Sequence, residues 1–521
     1  MANKQENRKP LIRIQHLKQY FPVKGKSIFD REIRVVKAND DISLDIYEGE
    51  TLGLVGESGC GKSTLGRSLL QLYEQTDGLT IYYGRELEEL APKYVLDILE
   101  NLSSKYKELK ELERKEKEAY QTYERLPEGD EKYEALEKAR AVEKSRKNLF
   151  LDLTRLVGGL LLYDDLNEVS RELVKEYKLK IEVSRLKREI QENQAKIDGT
   201  ISVLQEKGAS KEEIERKTSK YTAKIKENEG RIAKLNKEIQ SIQDGIEKLK
   251  DKCRKHPEFE NYESYKDSGI DLTKLTEDEM RVLRKDLQLI FQDPYSSLNP
   301  RLTVGQIISE PLFAHNIFAK NDKKVQDYVL KTMDECGLAP YFLHRYPHQF
   351  SGGQRQRIGI ARSVALRPKF IVCDEAVSAL DVSIQSQILN LLLDLKEKQN
   401  LTYLFISHDL SVIKYISDRV AVMYLGNVIE LADTDELYAH PMHPYTEALL
   451  AAIPTTDPDR EKKQVILEGD IPSPISPPPG CKFHTRCKYA TDICSKVVPE
   501  FEEARPGHFV ACHHKLNNGD K

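Results

Sequence analysis

Apolar and polar positions alternate in two short stretches near the start of the chain. The alternating apolar positions are Ile12, Ile14 and Leu17 in the first stretch and Ile42, Leu44 and Ile46 in the second. A period of two is that of a β-strand with one buried face. The continuous apolar run from Thr51 to Val55 predicts a third strand, and a helix is predicted soon after it. Residues 11–84 therefore predict the first part of an α/β core.

From residue 85 to residue 277 the pattern changes to that of long helices. This stretch is rich in Lys, Glu, Leu, Ile and Arg and has few glycine turns, a composition typical of extended helices. Between Tyr221 and Leu249 the apolar residues follow alternating steps of three and four, with Asn228 at one seam position. This spacing predicts a coiled-coil seam, so that residues 85–277 are interpreted as a helical insertion into the core.

A second seam precedes this one and predicts an antiparallel helical hairpin. It runs from Val183 to Leu204, and Gly208 lies between the two seams. Ser210 and Glu213 have the spacing of a capping box at the start of the second helix. Folding back at this point would bring Asn193 roughly level with Asn228, and a buried amide pair there would fix the register.

The globular pattern resumes after the insertion and gives four predicted regions. Residues 278–454 are the second part of the core with a helical subdomain, and residues 455–521 are a C-terminal tail reached through a proline-rich connector. The fold class is therefore an α/β core with a mixed sheet, interrupted by an α-helical coiled-coil insertion and followed by a small cysteine-rich domain.

Composition narrows the class of function. Lys plus Arg is 81 and Asp plus Glu is 85, a formal charge of −4, so there is no overall basic field to attract nucleic acid. No stretch approaches the roughly 18 to 20 apolar residues that span a bilayer. The polar start, Met1 to Pro10, has no apolar core of a secretory signal. We therefore expect a cytosolic protein with reduced thiols.

The segment after the strand Leu52–Val55 has the G-x-x-x-x-G-K-S pattern of a phosphate-binding loop. Its residues are Gly56, Glu57, Ser58, Gly59, Cys60, Gly61, Lys62, Ser63 and Thr64. Glycines allow backbone amides to face the phosphates, and the following helix adds positive potential at its N-terminus. Lys62 is expected to reach the terminal phosphates and Ser63 to ligate magnesium. The strand and helix context makes an ordinary glycine turn the weaker alternative.

Two further strands end in polar residues. Phe370 to Asp374 is an apolar strand followed by Glu375, and the apolar strand Thr402 to Ser407 is followed by His408. We expect Asp374 to hold magnesium through water, Glu375 to polarise the attacking water and His408 to help orient it. Each of these residues also has a simpler explanation when it is taken alone. Adjacent carboxylates often only end a strand, and a lone histidine is more often structural than catalytic.

The order of these motifs along the chain resembles that of the ABC transporter ATPases. Gln292 follows the strand Leu287–Phe291, and Phe350 introduces the signature residues Ser351, Gly352, Gly353 and Gln354, with Asp381 later in the chain. The resemblance implies an ATP- and magnesium-dependent hydrolase in which Gln292 is the Q-loop residue that links the nucleotide to the membrane partner and also serves catalysis and magnesium. It also implies that the signature binds the γ-phosphate held by a partner subunit and that Asp381 crosses the dimer. Phe21 or Tyr20 would stack on adenine, although a core role is about equally consistent with either aromatic residue.

Several stretches resemble the peptide-importer branch of that family, and its second, F-type ATPase in particular. They are Phe291 to Tyr295, Leu298 to Arg301, His348 to Phe350, His443 to Thr446 and the tail from Gly480 to His513. The resemblance implies two transmembrane permeases, a second ABC ATPase as a heterodimer partner and an extracytoplasmic peptide-binding protein. It places the chain peripherally on the cytoplasmic face of the cell membrane and implies no nucleic acid.

Cys481, Cys487, Cys494 and Cys512 crowd into the tail, whereas the other four of the eight cysteines stand alone. Paired Cys-x-x-Cys knuckles typical of structural zinc are absent, and four thiolates along a loop can ligate a [4Fe-4S] cluster. The family resemblance implies the same cluster. Zinc and unligated reduced thiols are the alternatives.

Two other functions compete with peptide import. Chromosome-maintenance ATPases also split an ABC head with a coiled coil, but in that class the coiled coil lies between the Q-loop and the signature. Here it lies before Gln292. Import of another solute, such as nickel, stays open because the ATPase does not touch the cargo. For the insertion itself, a solvated decoration and a docking arm are both compatible with the sequence.

Overall fold

The structure, a computed structural model, describes residues 8–23, 34–127, 129–319, 322, 324–452 and 469–517. The chain forms two compact units. The first contains the residues up to 84, residues 271–273 and the residues from 277 onward, and the second contains residues 85–270 and 274–276.

The secondary structure alternates in the first unit and is helical in most of the second. The strands are β1 (Pro10–Pro22), β2 (Val35–Tyr47), β3 (Thr51–Val55), β4 (Asp77–Tyr82), β5 (Ile270–Asp271), β6 (Leu287–Ile290), β7 (Phe370–Asp374), β8 (Thr402–Ile406), β9 (Arg419–Tyr424), β10 (Asn427–Asp433), β11 (Glu502–Arg505) and β12 (His508–Val510). The helices are α1 (Lys62–Leu69), α2 (Leu87–Leu90), α3 (Lys93–Glu100), α4 (Leu102–Arg125), α5 (Asp130–Val157), α6 (Leu166–Glu206), α7 (Lys211–Cys253), α8 (Phe259–Ser264), α9 (Glu277–Leu283), α10 (Val304–Ala314), α11 (Lys324–Glu335), α12 (Gly352–Val364), α13 (Val382–Gln399), α14 (Leu410–Ile416), α15 (Thr434–Ala439), α16 (Pro444–Ala451) and α17 (Asp492–Lys496).

The first unit is built on an eight-stranded sheet with the order β11-β12-β10-β9-β3-β8-β7-β6. The five strands from β9 to β6 are parallel, and β10, β12 and β11 continue the sheet antiparallel. Strands β3, β7, β8 and β9 are buried along their whole length, as expected for parallel strands covered on both faces. Because parallel strands end at the same edge, the segments that follow β3, β8, β7 and β6 lie side by side.

A second, antiparallel sheet and a helical subdomain complete the first unit. Strand β1 pairs with β2 on one side and with β4 on the other. Helices α10, α11 and α12 pack on one another through a core that includes Ile308, Met333 and Ile358. The mixed sheet and the helical subdomain predicted from the sequence are both present.

In the second unit, α6 and α7 form an antiparallel hairpin. Polar contacts link Glu182 to Arg231 at 2.9 Å and Glu176 to Gln243 at 2.8 Å. The hydroxyl of Ser210 accepts a hydrogen bond from the backbone N–H of Glu213 at 3.3 Å and so caps α7. The pairs run in opposite directions along the two helices, as the predicted hairpin requires.

The predicted amide pair does not form. Asn193 and Asn228 are both buried, but Asn228 Nδ2 donates to the carboxylate of Glu189 at 3.2 Å, and Asn193 Nδ2 donates to the carbonyl oxygen of the same residue at 2.8 Å. A carboxylate is a stronger acceptor than an amide oxygen. The polar contact in the seam is therefore between Asn228 and Glu189, one turn before Asn193.

A further pair of helices, α4 and α5, packs together within the same unit, with Arg146 Nε donating to Glu116 at 2.7 Å. The sequence predicted helical structure in this stretch but not its division into α4 and α5. Within the described ranges, none of the helices combines the length and hydrophobicity needed to cross a lipid bilayer.

A buried ion pair ties the start of β3 to β9. Arg419 donates from Nη2 to Glu50 Oε1 at 2.8 Å and from Nε to Oε2 at 3.1 Å. The two side chains are 8% and 4% exposed. The same guanidinium also donates to the carbonyl oxygen of Asp45 at 2.6 Å. The pair therefore fixes the N-terminal end of β3, whereas the phosphate-loop segment follows its C-terminal end.

We predict that Glu50→Gln destabilises the first unit by about 3–5 kcal/mol, because it leaves the Arg419 charge buried without a counter-charge. The measurement is native-state hydrogen exchange of the β3 amides in urea, which reports the free energy of opening of this unit. Asp278→Asn is the control, since Asp278 and Arg281 form an exposed pair; it should change that free energy by less than about 1 kcal/mol. Equal effects of the two variants would contradict the role given to the buried pair.

Candidate functional site

The phosphate-loop segment connects β3 to α1 and lies against neighbouring strands. Gly61 has φ of 104° and precedes α1, and a Cβ atom there would lie 2.0 Å from the carbonyl oxygen of Ala38. A Cβ atom on Gly56 would lie 2.2 Å from the carbonyl oxygen of Met423. Only glycine fits at both positions, so the sheet itself fixes the course of the loop.

Lys62 lies inside the loop. Its Nζ donates to the carbonyl oxygens of Gly56 at 2.7 Å and Glu57 at 3.1 Å, and the residue is 5% exposed. A lysine that extends from the helix start back across the loop places its ammonium where the terminal phosphates of a nucleotide bind in such loops.

The predicted magnesium ligands Ser63 and Asp374 are in direct contact. Ser63 Oγ donates to Asp374 Oδ1 at 2.6 Å, and Arg67 lies 3.3 Å from the other carboxylate oxygen. In the described part of the chain, no group of three or more His, Cys, Asp or Glu side chains is arranged to hold a metal ion. Magnesium with a nucleotide commonly takes only one or two protein oxygens, together with phosphates and water, and this pair of oxygen donors fits it.

Three predicted catalytic residues meet at one carboxylate. Glu375 follows β7 with φ of 49°, a left-handed conformation uncommon outside glycine, and its N–H donates to the carbonyl oxygen of Ile406 at 3.0 Å. Its carboxylate accepts from Gln292 Nε2 at 2.6 Å and lies 3.3 Å from His408 Nδ1. Gln292, Glu375 and His408 follow the adjacent strands β6, β7 and β8, so the strand order brings them together beside Asp374.

The predicted signature residues form a separate group at the start of α12. Ser351 Oγ accepts from the N–H of Gln354 at 3.4 Å, and the Gln354 side chain accepts from the N–H of Ser351 at 3.2 Å, a complete capping box. Gly353 packs so closely on Ile384 that an added Cβ would lie 2.4 Å from its side chain. These contacts fix the first turn of α12 against α13, whereas the phosphate loop lies at the start of α1.

Asp381 caps the neighbouring helix α13. Its carboxylate accepts from the N–H of Ile384 at 3.0 Å and from the hydroxyl of Ser383 at 2.8 Å, and these bonds lower the pKa of the Asp381 carboxyl. Asp381 is exposed. Its position beside the signature helix is compatible with a contact to another chain.

The two candidate adenine-stacking residues lie at the end of β1. The Phe21 ring packs edge-on against Tyr73 with ring centres 5.3 Å apart. The hydroxyl of Tyr20 donates to Asp40. Stacking of Phe21 or of Tyr20 on adenine stays a prediction.

Three residues that contact the phosphate loop were not predicted. Asn39 is fully buried and its Nδ2 donates to the carbonyl oxygen of Gly61 at 3.1 Å. The Tyr445 hydroxyl accepts from the N–H of Glu57 at 2.9 Å, and Arg486 makes a double hydrogen bond to the Glu57 carboxylate. Tyr445 and Arg486 are 388 and 429 residues from Glu57 along the chain, so no local pattern could have indicated them.

The cysteines of the tail lie close to one another. The N–H of Cys481 donates to the carbonyl oxygen of Cys494 at 2.8 Å. Burial raises the pKa of the Cys481 and Cys487 thiols and raises that of Cys512 to about 12, and the neighbouring thiols of the group contribute to each increase. All four are free thiols, within electrostatic range of one another, but they do not have the arrangement of a metal site.

Comparison with known proteins finds two matching family models and several similar chains. The ABC transporter family model matches residues 39–256 and 259–378, and the model of the oligopeptide/dipeptide transporter C-terminal region matches residues 429–494. The oligopeptide transport ATP-binding protein AppF of Bacillus subtilis (strain 168) is 33% identical over 97% of this chain and 98% of its own length. A protein of Brucella ovis named as a peptide import ATP-binding protein is 54% identical over 47% of this chain and 76% of its own. YkfD of B. subtilis, named as an oligopeptide transport ATP-binding protein, is 52% identical over 47% and 75%.

We predict that Glu375→Gln lowers the rate of nucleotide hydrolysis by about 10²–10⁴-fold, because an amide cannot accept a proton from water. Binding of ATP should stay within about threefold of the wild type, since the phosphate-loop contacts are untouched. Phosphate release and equilibrium dialysis measure the two quantities. Glu397→Gln, an exposed position on α13, is the control and should change neither. Hydrolysis by the Glu375 variant at half the wild-type rate would exclude the role given to this carboxylate.

Proposed function

The chain belongs to the ABC transporter family as an ATP-hydrolysing subunit, and from this premise we propose that it drives the uptake of oligopeptides or dipeptides. The observation that carries the proposal is the match of residues 429–494 to the oligopeptide/dipeptide transporter C-terminal region. The similarity to AppF along 97% of the chain supports it. ATP would bind at the phosphate loop of residues 56–64, and peptides would pass through other subunits.

In the proposed mechanism, each residue of the site has one task. Lys62 leaves the carbonyl oxygens that it now contacts and binds the terminal phosphates of ATP. Ser63 and Asp374 would hold magnesium, which would neutralise the charge that develops on the phosphates. Glu375 accepts the proton of the attacking water, while Gln292 and His408, both in contact with its carboxylate, orient that water.

A second ATPase subunit would complete the site. Ser351, Gly352, Gly353 and Gln354 lie at the N-terminus of α12, where backbone amides and the helix dipole favour a phosphate. The exposed Asp381 and the 79% exposed side chain of Val382 lie beside them. We propose that this surface binds the nucleotide held by the partner ATPase, and that the partner is a different chain.

The remaining partners follow from the importer function. Two transmembrane permeases would form the path for the peptide, and an extracytoplasmic peptide-binding protein would deliver it. The chain would lie peripherally on the cytoplasmic face of the membrane, held there by its permeases. The exposed Tyr295, in the segment after Gln292, is 68% accessible and is a candidate for contact with a permease.

The importer is tested by uptake in the source organism. We predict that a strain without this chain accumulates less radiolabelled tri- to pentapeptide, that the wild-type chain restores uptake, and that Glu375→Gln does not. Accumulation of free amino acids serves as the control and should be equal in all strains. A strain that loses nickel uptake and keeps peptide uptake would show that peptides are not the cargo.

Affinity purification from mildly solubilised membranes checks the same proposal at the level of the complex. Two multi-span permeases, a second ABC ATPase and a peptide-binding protein should co-elute with the tagged chain. DNA-associated or ribosomal proteins without a permease would contradict the transporter function and favour the chromosome-maintenance alternative.

We also propose that the α6–α7 hairpin is a coiled coil. Four residues at alternating steps of three and four on α7 are buried: Ile239, Ile242, Ile246 and Leu249. The seam spacing and the polar contact between Asn228 and Glu189 support this interpretation.

For the tail we propose a [4Fe-4S] cluster held by Cys481, Cys487, Cys494 and Cys512. Support comes from the proximity of the four thiols and from the absence of paired Cys-x-x-Cys knuckles. Bound iron would replace the protons of the thiols, whose present arrangement is not that of a metal site. The thiols would therefore have to move on binding.

Analysis of anaerobically purified protein tests the cluster. We predict about four iron atoms and four acid-labile sulfides per chain and a broad absorbance near roughly 400 nm. Cys494→Ser should lose both, whereas Cys336→Ser, a buried cysteine outside the tail, should lose neither. Stoichiometric zinc without sulfide, or no metal at all, would show that one of the two alternatives is correct.

A further inference from the structure

Glu57, the second residue of the phosphate loop, is held at three points. Its carboxylate accepts from Arg486 Nη1 at 2.8 Å and Nη2 at 3.1 Å, its N–H donates to the Tyr445 hydroxyl at 2.9 Å, and its carbonyl oxygen accepts from Lys62 at 3.1 Å. Two of the three partners, Tyr445 and Arg486, lie within residues 429–494, which are called the C-terminal region below. The backbone and the side chain of one loop residue are therefore both fixed from outside the loop.

Arg486 is itself held firmly. Its side chain is 6% exposed, and its backbone N–H donates to the carbonyl oxygen of Phe483 at 3.0 Å. Phe483 is buried, with its ring edge-on to Tyr424 at 5.2 Å and to Tyr445 at 5.4 Å. A guanidinium that is packed in this way loses little freedom when it makes a double hydrogen bond, so the fork is preorganised for the Glu57 carboxylate.

The charge of Glu57 makes this contact relevant to nucleotide binding. A carboxylate in the loop that receives a triphosphate repels the anion, and the repulsion is strong where water is partly excluded. Arg486 neutralises the carboxylate and keeps it turned toward the C-terminal region. Without Arg486, none of the hydrogen bonds described for the Glu57 carboxylate would come from a positively charged group.

We propose that Arg486 is a positioning residue for ATP binding, which acts on the phosphate loop by neutralising the Glu57 carboxylate. The C-terminal region is then a part of the nucleotide site as well as a tail. The inference rests on ATP binding at the phosphate loop, as the proposed function does, but it is independent of the cargo and of what the cysteines hold.

The test is the binding of Mg-ATP to the full-length chain, with steady-state hydrolysis measured on the same preparations. Arg486→Gln should raise the Kd and the KM for ATP about tenfold, the effect of losing a charge-assisted hydrogen bond. The rate at saturating ATP should fall by less than about twofold, because the groups around Glu375 are not altered. This split between KM and kcat would not follow from general loss of structure.

The double variant Glu57→Gln with Arg486→Gln distinguishes charge from packing. It removes the unpaired negative charge of Glu57 as well as the positive charge of Arg486, so its Kd should return to within about threefold of the wild type. Arg486→Lys keeps the positive charge but loses the double hydrogen bond, so its Kd should lie between those of the wild type and Arg486→Gln. Lys488→Gln is the matched control, since Lys488 lies two residues further along and pairs with Glu447 at the surface; its Kd should not change.

Wild-type affinity in Arg486→Gln would overturn the proposal. Equally weak binding by Arg486→Gln and by the double variant would also overturn it, because the defect would then be independent of the Glu57 charge. Loss of peptide uptake in a strain whose chain binds ATP normally would concern the importer function alone.

Discussion

The constraint on which the rest of the site depends is the strand order β3-β8-β7-β6. These four strands are parallel neighbours, so the segments that leave their carboxyl ends meet along a single edge of the sheet. The phosphate loop leaves β3, His408 follows β8, Glu375 follows β7 and Gln292 follows β6. No single segment carries all the residues proposed for hydrolysis, and the parallel strands bring these residues together.

This dependence explains how much of the site could be predicted from the sequence. Lys62, Ser63, Asp374, Glu375 and His408 each follow an apolar run that predicts a strand, so their convergence could be expected from parallel pairing alone. Contacts between distant parts of the chain could not be expected in the same way. Asn39, Tyr445 and Arg486 bind the phosphate loop through single hydrogen bonds or ion pairs, and nothing in their own surroundings in the sequence marks that role.

In the helical unit, the periodicity predicted the antiparallel hairpin but not its polar contact. A step of three and four residues defines which side chains face the partner helix, whereas the choice between two acceptors depends on their strength and reach. Asn228 contacts the charged Glu189 and not Asn193. The division between α4 and α5 was also missed, because charged residues dominate both helices and their seam is weak.

The part of the C-terminal tail from residue 469 onward is joined to the core by the sheet and by buried polar contacts. Strand β12 pairs with β10, and the fully buried carboxylate of Glu430 contacts His508 at 2.8 Å while accepting hydrogen bonds from the N–H groups of Met442 and His443. These contacts bring the segment that carries Arg486 to the phosphate loop. The phosphate loop and the tail are thus in direct contact within the first unit.

An experimental structure of the chain with Mg-ATP bound would show whether these side chains meet at the nucleotide. We predict that Lys62 Nζ leaves the carbonyl oxygens of Gly56 and Glu57 for the phosphates, that Ser63 Oγ leaves Asp374 for magnesium, and that Glu375 faces the γ-phosphate. Nucleotide bound elsewhere, with Lys62 still on those carbonyl oxygens and Ser63 still on Asp374, would contradict this prediction.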